Sequence, residues 1–334
     1  MSIELHRDKL IGYAYESTEG TDPIASGGGT PYYEFGKLTK TFGNFPSKEF
    51  KVLAIHHGSR DPTLNITHAL PKGAIAFAPV NGVPWYQFLG SSSTAATIHT
   101  ITGIDTGELP FITARFESQN SSENIRKSLV GAKINNINFQ LLNANTRIRL
   151  PAMIGMGIQG MDVKAPTNTA TQTPIFPDSE EGLYYVDSNF IFTWDLNGTP
   201  ITEYKNQLLD FKYIGTNTNI FGTVGNTLTP VRVLEGPRNH ILMFQLLRGG
   251  STRIYDDYLA QTRSSTGKDL RVKIYNSAAN YLQLDFNDVF IETCEMNDGY
   301  QASGDLEIYD VVASCEDLIV KSKDGLTAAT FYGE

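Results

Sequence analysis

Cysteine is nearly absent from this chain, with two in 334 residues, Cys294 and Cys315. Two isolated thiols cannot make a disulfide framework, and their simplest state is reduced. Long apolar runs are missing as well. No stretch approaches the ~20 apolar residues of a membrane helix, and the opening MSIELHRDKLIGYAYES has no apolar export core, so neither an export signal nor a membrane anchor is expected. Positive charge is also scarce. With 27 Lys and Arg against 36 Asp and Glu the net charge is −9, and no basic run occurs. Phosphate binding needs Lys and Arg to displace counterions, so the chain is poorly suited to gripping nucleic acid, although it could enclose one.

Enzyme motifs are lacking too. There is no GxSxG for a serine hydrolase, and Gly27-Gly28-Gly29 has neither the GxxxxGK[ST] nor the GxGxxG spacing of a phosphate cradle, so it reads as a loop. His56, His57 and His68 have no carboxylate or cysteine at zinc spacing, and adjacent histidines on an extended chain point apart. Asp285, Asn287 and Asp288 lack the full ligand pattern of a calcium loop. Paired carboxylates such as Asp256-Asp257 or Glu292 with Glu295 read as a solvated face. No catalytic residue, metal or cofactor is expected.

What is present is alternation. Charged residues make 19% and hydrophobic residues 40% of the chain, a globular balance. Phe190, Phe192, Trp194 and Leu196 alternate with Ile191, Thr193 and Asp195, the period of a strand with one aromatic face. Asn197-Gly198 favours a tight turn. Leu209, Phe211 and Tyr213 then alternate with Asp210 and Lys212, predicting a hairpin of these two runs. Such a pair leaves strand edges that another copy of the chain could cover.

Further strands are expected at 32–38, 51–55, 74–79 and 83–89, with Trp85 and Phe88 as core anchors and 91–96 as loop. Segments 97–102 and 111–117 should pair. Asn120 with Glu123 has capping-box spacing, predicting a short helix over 121–130. A second hairpin is expected within 132–150, followed by a Gly- and Asn-rich crossing over 153–174. Segment 215–229 reads as a projecting loop, 239–247 as a buried strand, and 255–261 as one or two helical turns. Strands at 270–275, 281–286, 289–295, 305–313 and 318–321 close the chain. The fold class is mainly β, an antiparallel β-sandwich or barrel subunit with one or two short helices. The division is an N-terminal half over 1–160, a linker over 161–178 and a C-terminal half over 179–334, or a single intertwined domain. The halves have similar ingredients, which raises the question of a duplication.

Taken in order, several segments carry a resemblance. Gly12-Tyr13-Ala14-Tyr15-Glu16-Ser17-Thr18-Glu19-Gly20-Thr21-Asp22-Pro23, Gly58-Ser59-Arg60-Asp61, Gly131 to Phe139, and Phe192 to Ile201 through Leu208-Leu209-Asp210-Phe211 follow one another as in the tail tube proteins of long-tailed bacteriophages and tailed archaeal viruses, which the chain resembles. Glu19 stands where that family more often has an aromatic. The resemblance implies subunits that contribute hairpins to a ring-shaped inter-subunit β-barrel, six copies to a ring, with rings stacked into a tube. Implied partners are further copies of the chain and other tail proteins (tape measure, tail terminator, distal tail protein), with DNA only in transit and no membrane. The implied location is the virion tail, assembled in the host cytoplasm. Six copies at −9 carry about 54 negative charges, which would repel a passing duplex. In that setting Asp195, Asp210 and Lys212 are the candidates to face the lumen. Glu16, Thr18, Arg60, Asp61, Asn217 and Asn219 are the candidates for contacts between subunits or rings. A second reading is a β-sandwich carbohydrate-binding or adhesin module on a virion or cell surface, using Tyr32, Tyr33, Tyr184 and Tyr185 to stack on sugars. A β-rich hydrolase is the third.

Overall fold

The structure, a computed structural model, describes residues 9–23, 33–38, 47–55, 63–105, 107–119, 124–141, 152–165, 190–202, 204, 207–222, 230–248, 253–263, 265–277, 280–298, 307–326 and 332. Among them are the strands β1 (Lys9–Tyr15), β2 (Tyr33–Glu34), β3 (Lys37–Leu38), β4 (Ser47–Ile55), β5 (Thr63–Ala78), β6 (Gly90–Ala95), β7 (Ile98–Gly103), β8 (Ile112–Gln119), β9 (Asn124–Leu141), β10 (Met153–Gln159), β11 (Asp162–Lys164), β12 (Phe190–Trp194), β13 (Leu208–Gly222), β14 (Arg232–Leu247), β15 (Lys268–Ser277), β16 (Asn280–Asp298) and β17 (Glu307–Lys323). Two helices, α1 (Val83–Leu89) and α2 (Arg253–Ala260), interrupt them. The mainly β, antiparallel character expected from the alternation is present.

The smaller sheet runs β2–β1–β8–β9–β11. The larger runs β4–β5–β10–β9–β13–β14–β17–β16–β15–β12, with β7 and then β6 added beside the end of β17. Strand β9 belongs to both sheets: its first half pairs with β8 and β11, its second with β10 and β13. The corner between them is Gly131, at φ +58°, where a Cβ would come within 2.5 Å of the Met161 sulfur. Glycine alone reaches that conformation without strain in so tight a place.

Burial of alternating residues drives these layers together. Tyr13 of β1 meets Phe35 at 4.7 Å between ring centroids, and Phe35 meets Phe77 of β5 at 6.0 Å, joining the small sheet to the large. At the other end the large sheet rolls over itself. Phe192 of β12 lies 6.2 Å from Phe211 of β13 and 5.5 Å from Phe244 of β14, both edge-on. Trp85 bridges Phe139 and Tyr213, at 5.8 and 5.6 Å. One apolar cluster therefore runs through both halves of the chain.

Several expectations are corrected. The alternating aromatics of 190–194 are buried as expected, but β12 pairs with β15, and β13 pairs with β14 and β9. The turn at Asn197-Gly198 returns the chain only to a single bridge, Trp194 to Ile201. Strands β12 and β13 meet face to face across the core instead of edge to edge. Residues 83–89 form a helix, not a strand. Pro84 sits in its first turn, where a missing N–H costs nothing, and Gly90 caps it at φ 97°. Trp85 and Phe88 are fully buried, as anticipated.

Residues 124–130 are strand, not helix. A capping box contributes about 1 kcal/mol, which a ladder with β8 on one side and β11 on the other outweighs. Segment 91–96 is largely the strand β6, and 97–102 pairs with β6 and β17, not with 111–117. The first third of the supposed crossing over 153–174 is β10, a central strand between β5 and β9, and 162–164 is β11, while 166–174 lie outside the described residues. The helical turns anticipated at 255–261 are present as α2. The Gly27–Gly29 loop and much of 132–150 beyond Leu141 lie outside the described residues.

Candidate assembly surface

Along the central strands of the large sheet, every second residue points away from the core. Ala76, Gly155, Asn138, Ile214, Ile241 and Ser314 stand side by side on six successive strands. Each is partly exposed, while its neighbours along the strand are buried. A second row holds Ala74, Gly157, Asn136, Thr216 and Asn239. Neither row contains an ionisable group. The side chains are small or amidic, and Asn136 Oδ1 accepts a hydrogen bond from Gly157 N at 3.0 Å. At Gly155 a Cβ would meet only Asn138, at 3.9 Å or more. Packing within the subunit therefore does not require glycine there.

Charge collects at one end of this face. Lys212 stands beside Met243 and Val312, and in the next row Asp210 stands beside Gln245, Asp310 and Glu295. Asp210, Lys212, Met243, Gln245, Asp310 and Val312 line a cavity of about 210 Å³. Gln245 Nε2 donates to Asp310 Oδ1 at 2.6 Å. Asp210 Oδ1 is buried with no hydrogen-bond partner among the described residues. Loss of water raises the carboxyl pKa of Asp210, against a backbone hydrogen bond from Phe211 and the charge of Lys212.

At the opposite end, β13 and β14 run on as a two-stranded arm. Residues 217–222 and 232–238 pair only with each other among the described strands. The back of the arm is tied to the N-terminal half by polar contacts. Lys133 Nζ, fully buried, donates to Val233 O at 2.7 Å and to Glu235 at 2.6 Å. Leu109 N donates to the same Glu235 oxygen at 2.9 Å, Val233 N donates to Glu19 at 3.3 Å, and Arg232 pairs with Glu108. The front of the arm is bare: Ile220 is 54% exposed, Val231 42% and Leu234 38%. The larger sheet also has two long margins. Among the described strands β4 pairs along its whole length only with β5, and β12 pairs only with β15.

The residues singled out from sequence scatter. Asp210 and Lys212 do share the outward face, but Asp195 is elsewhere. It lies after β12 at φ 56°, 5% exposed, and its carboxylate accepts from Arg253, from Lys268 at 3.3 Å and from Thr199 N at 3.2 Å. Glu16 is buried, accepting from Thr113 Oγ1 at 2.6 Å, Gly20 N at 2.6 Å and Gly131 N at 2.8 Å, so it fastens the entry segment to the sheet corner. Thr18 is exposed. Asn217 is buried and donates to Phe88 O and Ile134 O, both at 3.1 Å. Asn219 points to the same back side of the arm. Arg60 and Asp61 lie outside the described residues, as do His56 and His57. Of the candidate sugar-stacking tyrosines, Tyr33 packs 5.9 Å from Tyr13, and Tyr32, Tyr184 and Tyr185 are outside the described residues.

Sequence reasoning missed the uncharged rows, because they combine residues from β5, β10, β9, β13, β14 and β17 that no local pattern links. No group of three or more potential metal ligands occurs among the described residues. Asp285 is held by Arg271 at 2.5 Å. Both cysteines are buried free thiols, with pKa values pushed up by burial to about 11 for Cys294 and about 12 for Cys315. No helix among the described residues is long and apolar enough to cross a membrane. No protein-family model matches the sequence, and no curated protein matches it significantly.

Proposed function

We propose that the chain is a structural subunit that assembles with copies of itself through its sheet margins, placing the uncharged face around a channel for DNA in transit. This is the role of the tail tube proteins that segments 12–23, 58–61, 131–139 and 192–211 resemble. Six copies form a ring, rings stack into the tube of a virion tail, and the other tail proteins cap or fill it. The subunit performs no catalysis in this role and carries no cofactor.

The observation that carries the reading is the row Ala76, Gly155, Asn138, Ile214, Ile241 and Ser314, matched in register across six strands and free of ionisable groups. A polyanion sliding past such a wall meets no cation to hold it. The net charge of −9 lies off these rows, with Asp210, Asp310 and Glu295 gathered toward one mouth, where they discourage adsorption. Strands single-sided among the described residues, β4 and β12, supply the hydrogen-bonding edges that a neighbour completes, and a head-to-tail contact of this kind closes into a ring when the rotation fits.

Sedimentation velocity and negative-stain microscopy of the purified protein test this. Rings or tubes with a stain-filled axial hole are expected as concentration rises. A single monomeric species at every concentration would sink the proposal.

A further inference from the structure

The layer that closes the core opposite the uncharged rows has a different character. Phe286 of β16 packs inward on Phe211 and Tyr213 of β13, at 6.0 and 5.4 Å between ring centroids, so the alternate residues of β15, β16 and the end of β17 point out on the far side. Three registered rows stand there: Arg271, Asp285 and Ile319; Lys273, Gln283 and Lys321; Tyr275, Tyr281 and Lys323. Four cations thus share this ground with one carboxylate, in a chain whose net charge is −9. Asp285 is committed to Arg271, which donates through Nε at 2.5 Å and Nη2 at 3.0 Å, and to Gln283 at 2.8 Å. Lys321 stands off at 3.9 Å, and Lys273 and Lys323 have no ion-pair partner among the described residues. Burial lowers the pKa of Lys273 most, and the charges of Arg271 and Lys323 lower it further against the pull of Asp285. An anion laid across the rows relieves that crowding.

We propose that this patch is a docking surface for a short acidic segment of a second protein, bound in extended form with alternate Asp or Glu side chains reaching Lys273, Lys321 and Lys323. Cations two residues apart on a strand repeat at about 7 Å, which is also the repeat of same-side residues in an extended peptide. Gln283 between the lysines and Thr100 beside Lys321 add neutral hydrogen-bonding groups. Charge complementarity of this kind selects the partner more than it tightens the contact. A nucleic acid fits less well on two counts. The ring of Tyr281, on which an unpaired base would stack, already carries Lys273 Nζ at 3.7 Å from its centroid. The basic ground also ends two residues farther along, at Asp269 of β15 and Asp317 of β17, so a polyanion long enough to run past it is repelled. The contact needs no second copy of this chain, and it stands or falls apart from the assembly reading.

The test titrates full-length protein into a short fluorescein-labelled peptide alternating Glu and Thr, with anisotropy as the readout. Wild type should bind it at low salt and lose at least tenfold in affinity between about 0.05 and 0.5 M salt. Lys321→Glu with Lys323→Glu should weaken binding at least tenfold at low salt, whereas Lys321→Arg with Lys323→Arg should keep it. Lys323→Gln alone should weaken it several-fold, which carries the test should the double reversal not fold. No binding by wild type at low salt, or equal binding by wild type and these charge-removing variants, would overturn the docking surface. A thymidine oligonucleotide of equal charge that binds more tightly than the peptide, and that loses affinity in the same variants, would overturn the acidic segment as its occupant.

Discussion

A carboxyl group taken out of water holds its proton more tightly, and Glu34 at the end of β2 is the clearest instance in this protein. Burial pushes its pKa from 4.5 up to about 7. The folded state then binds a proton that the unfolded state releases between about pH 4.5 and 7, so stability rises as pH falls through that window and is lowest above it. Glu34→Gln, which carries no charge to desolvate, should be more stable than wild type at pH 8 and should flatten the dependence on pH. Urea unfolding at pH 5 and 8 checks it, and an identical slope in both proteins would count against the assignment. At this scale the sequence was partly legible. The alternation of Phe190, Phe192 and Trp194 and the anchors Trp85 and Phe88 identify buried residues without any knowledge of their partners, because burial follows period. Asp195 was illegible for the opposite reason: its environment is set by Arg253 and Lys268, which lie 58 and 73 residues away.

Among the elements, the arm of β13 and β14 is held down by a buried cation. Lys133 sits with no exposure, and Glu235 supplies its counter-charge. Removing that partner leaves a buried ammonium uncompensated, which costs about 3 kcal/mol or more. Glu235→Ala should therefore lower stability by about that amount and speed amide exchange over 217–222 and 232–238 more than elsewhere, whereas Glu235→Gln should recover part of the loss. Uniform exchange in Glu235→Ala would show that the arm does not depend on this pair. The arm also explains why 215–229 read as a loop. Its polar residues look like turn chemistry in a window, yet Asn217 is a buried donor to Phe88 O and Ile134 O, and β13 keeps its alternation through Gly222. The hairpin drawn between β12 and β13 failed similarly: Asn197-Gly198 does make a turn, with Gly198 N donating to Asp195 O at 3.1 Å, but turn propensity does not say which strand receives the returning chain.

For the molecule as a whole, the question is why an outward sheet face should be so plain. Strand faces turned to water usually carry charged residues, and the central rows of this one carry none. Gly155 makes the point testable, since its Cβ would touch nothing closer than 3.9 Å. Gly155→Ala should be within about 1 kcal/mol of wild type in stability. Gly155→Lys should likewise leave the subunit folded and, in the proposed tube, add one cation per copy to the channel wall, so that assembled particles retain duplex DNA in a salt-dependent way that wild-type particles do not. Equal retention by both would place Gly155 away from the path. The antiparallel class was readable from alternation alone, but the uncharged face was not, because it is composed by register between strands distant in sequence.

Cryo-EM of the assembled particle is the most direct examination of this account. It should place Asn138, Ile214 and Ile241 on the wall of an axial channel, with the β4 and β12 margins each hydrogen-bonded to a neighbouring copy. A particle in which those three side chains face the outer surface, or in which both margins are covered from within the same chain, would contradict it.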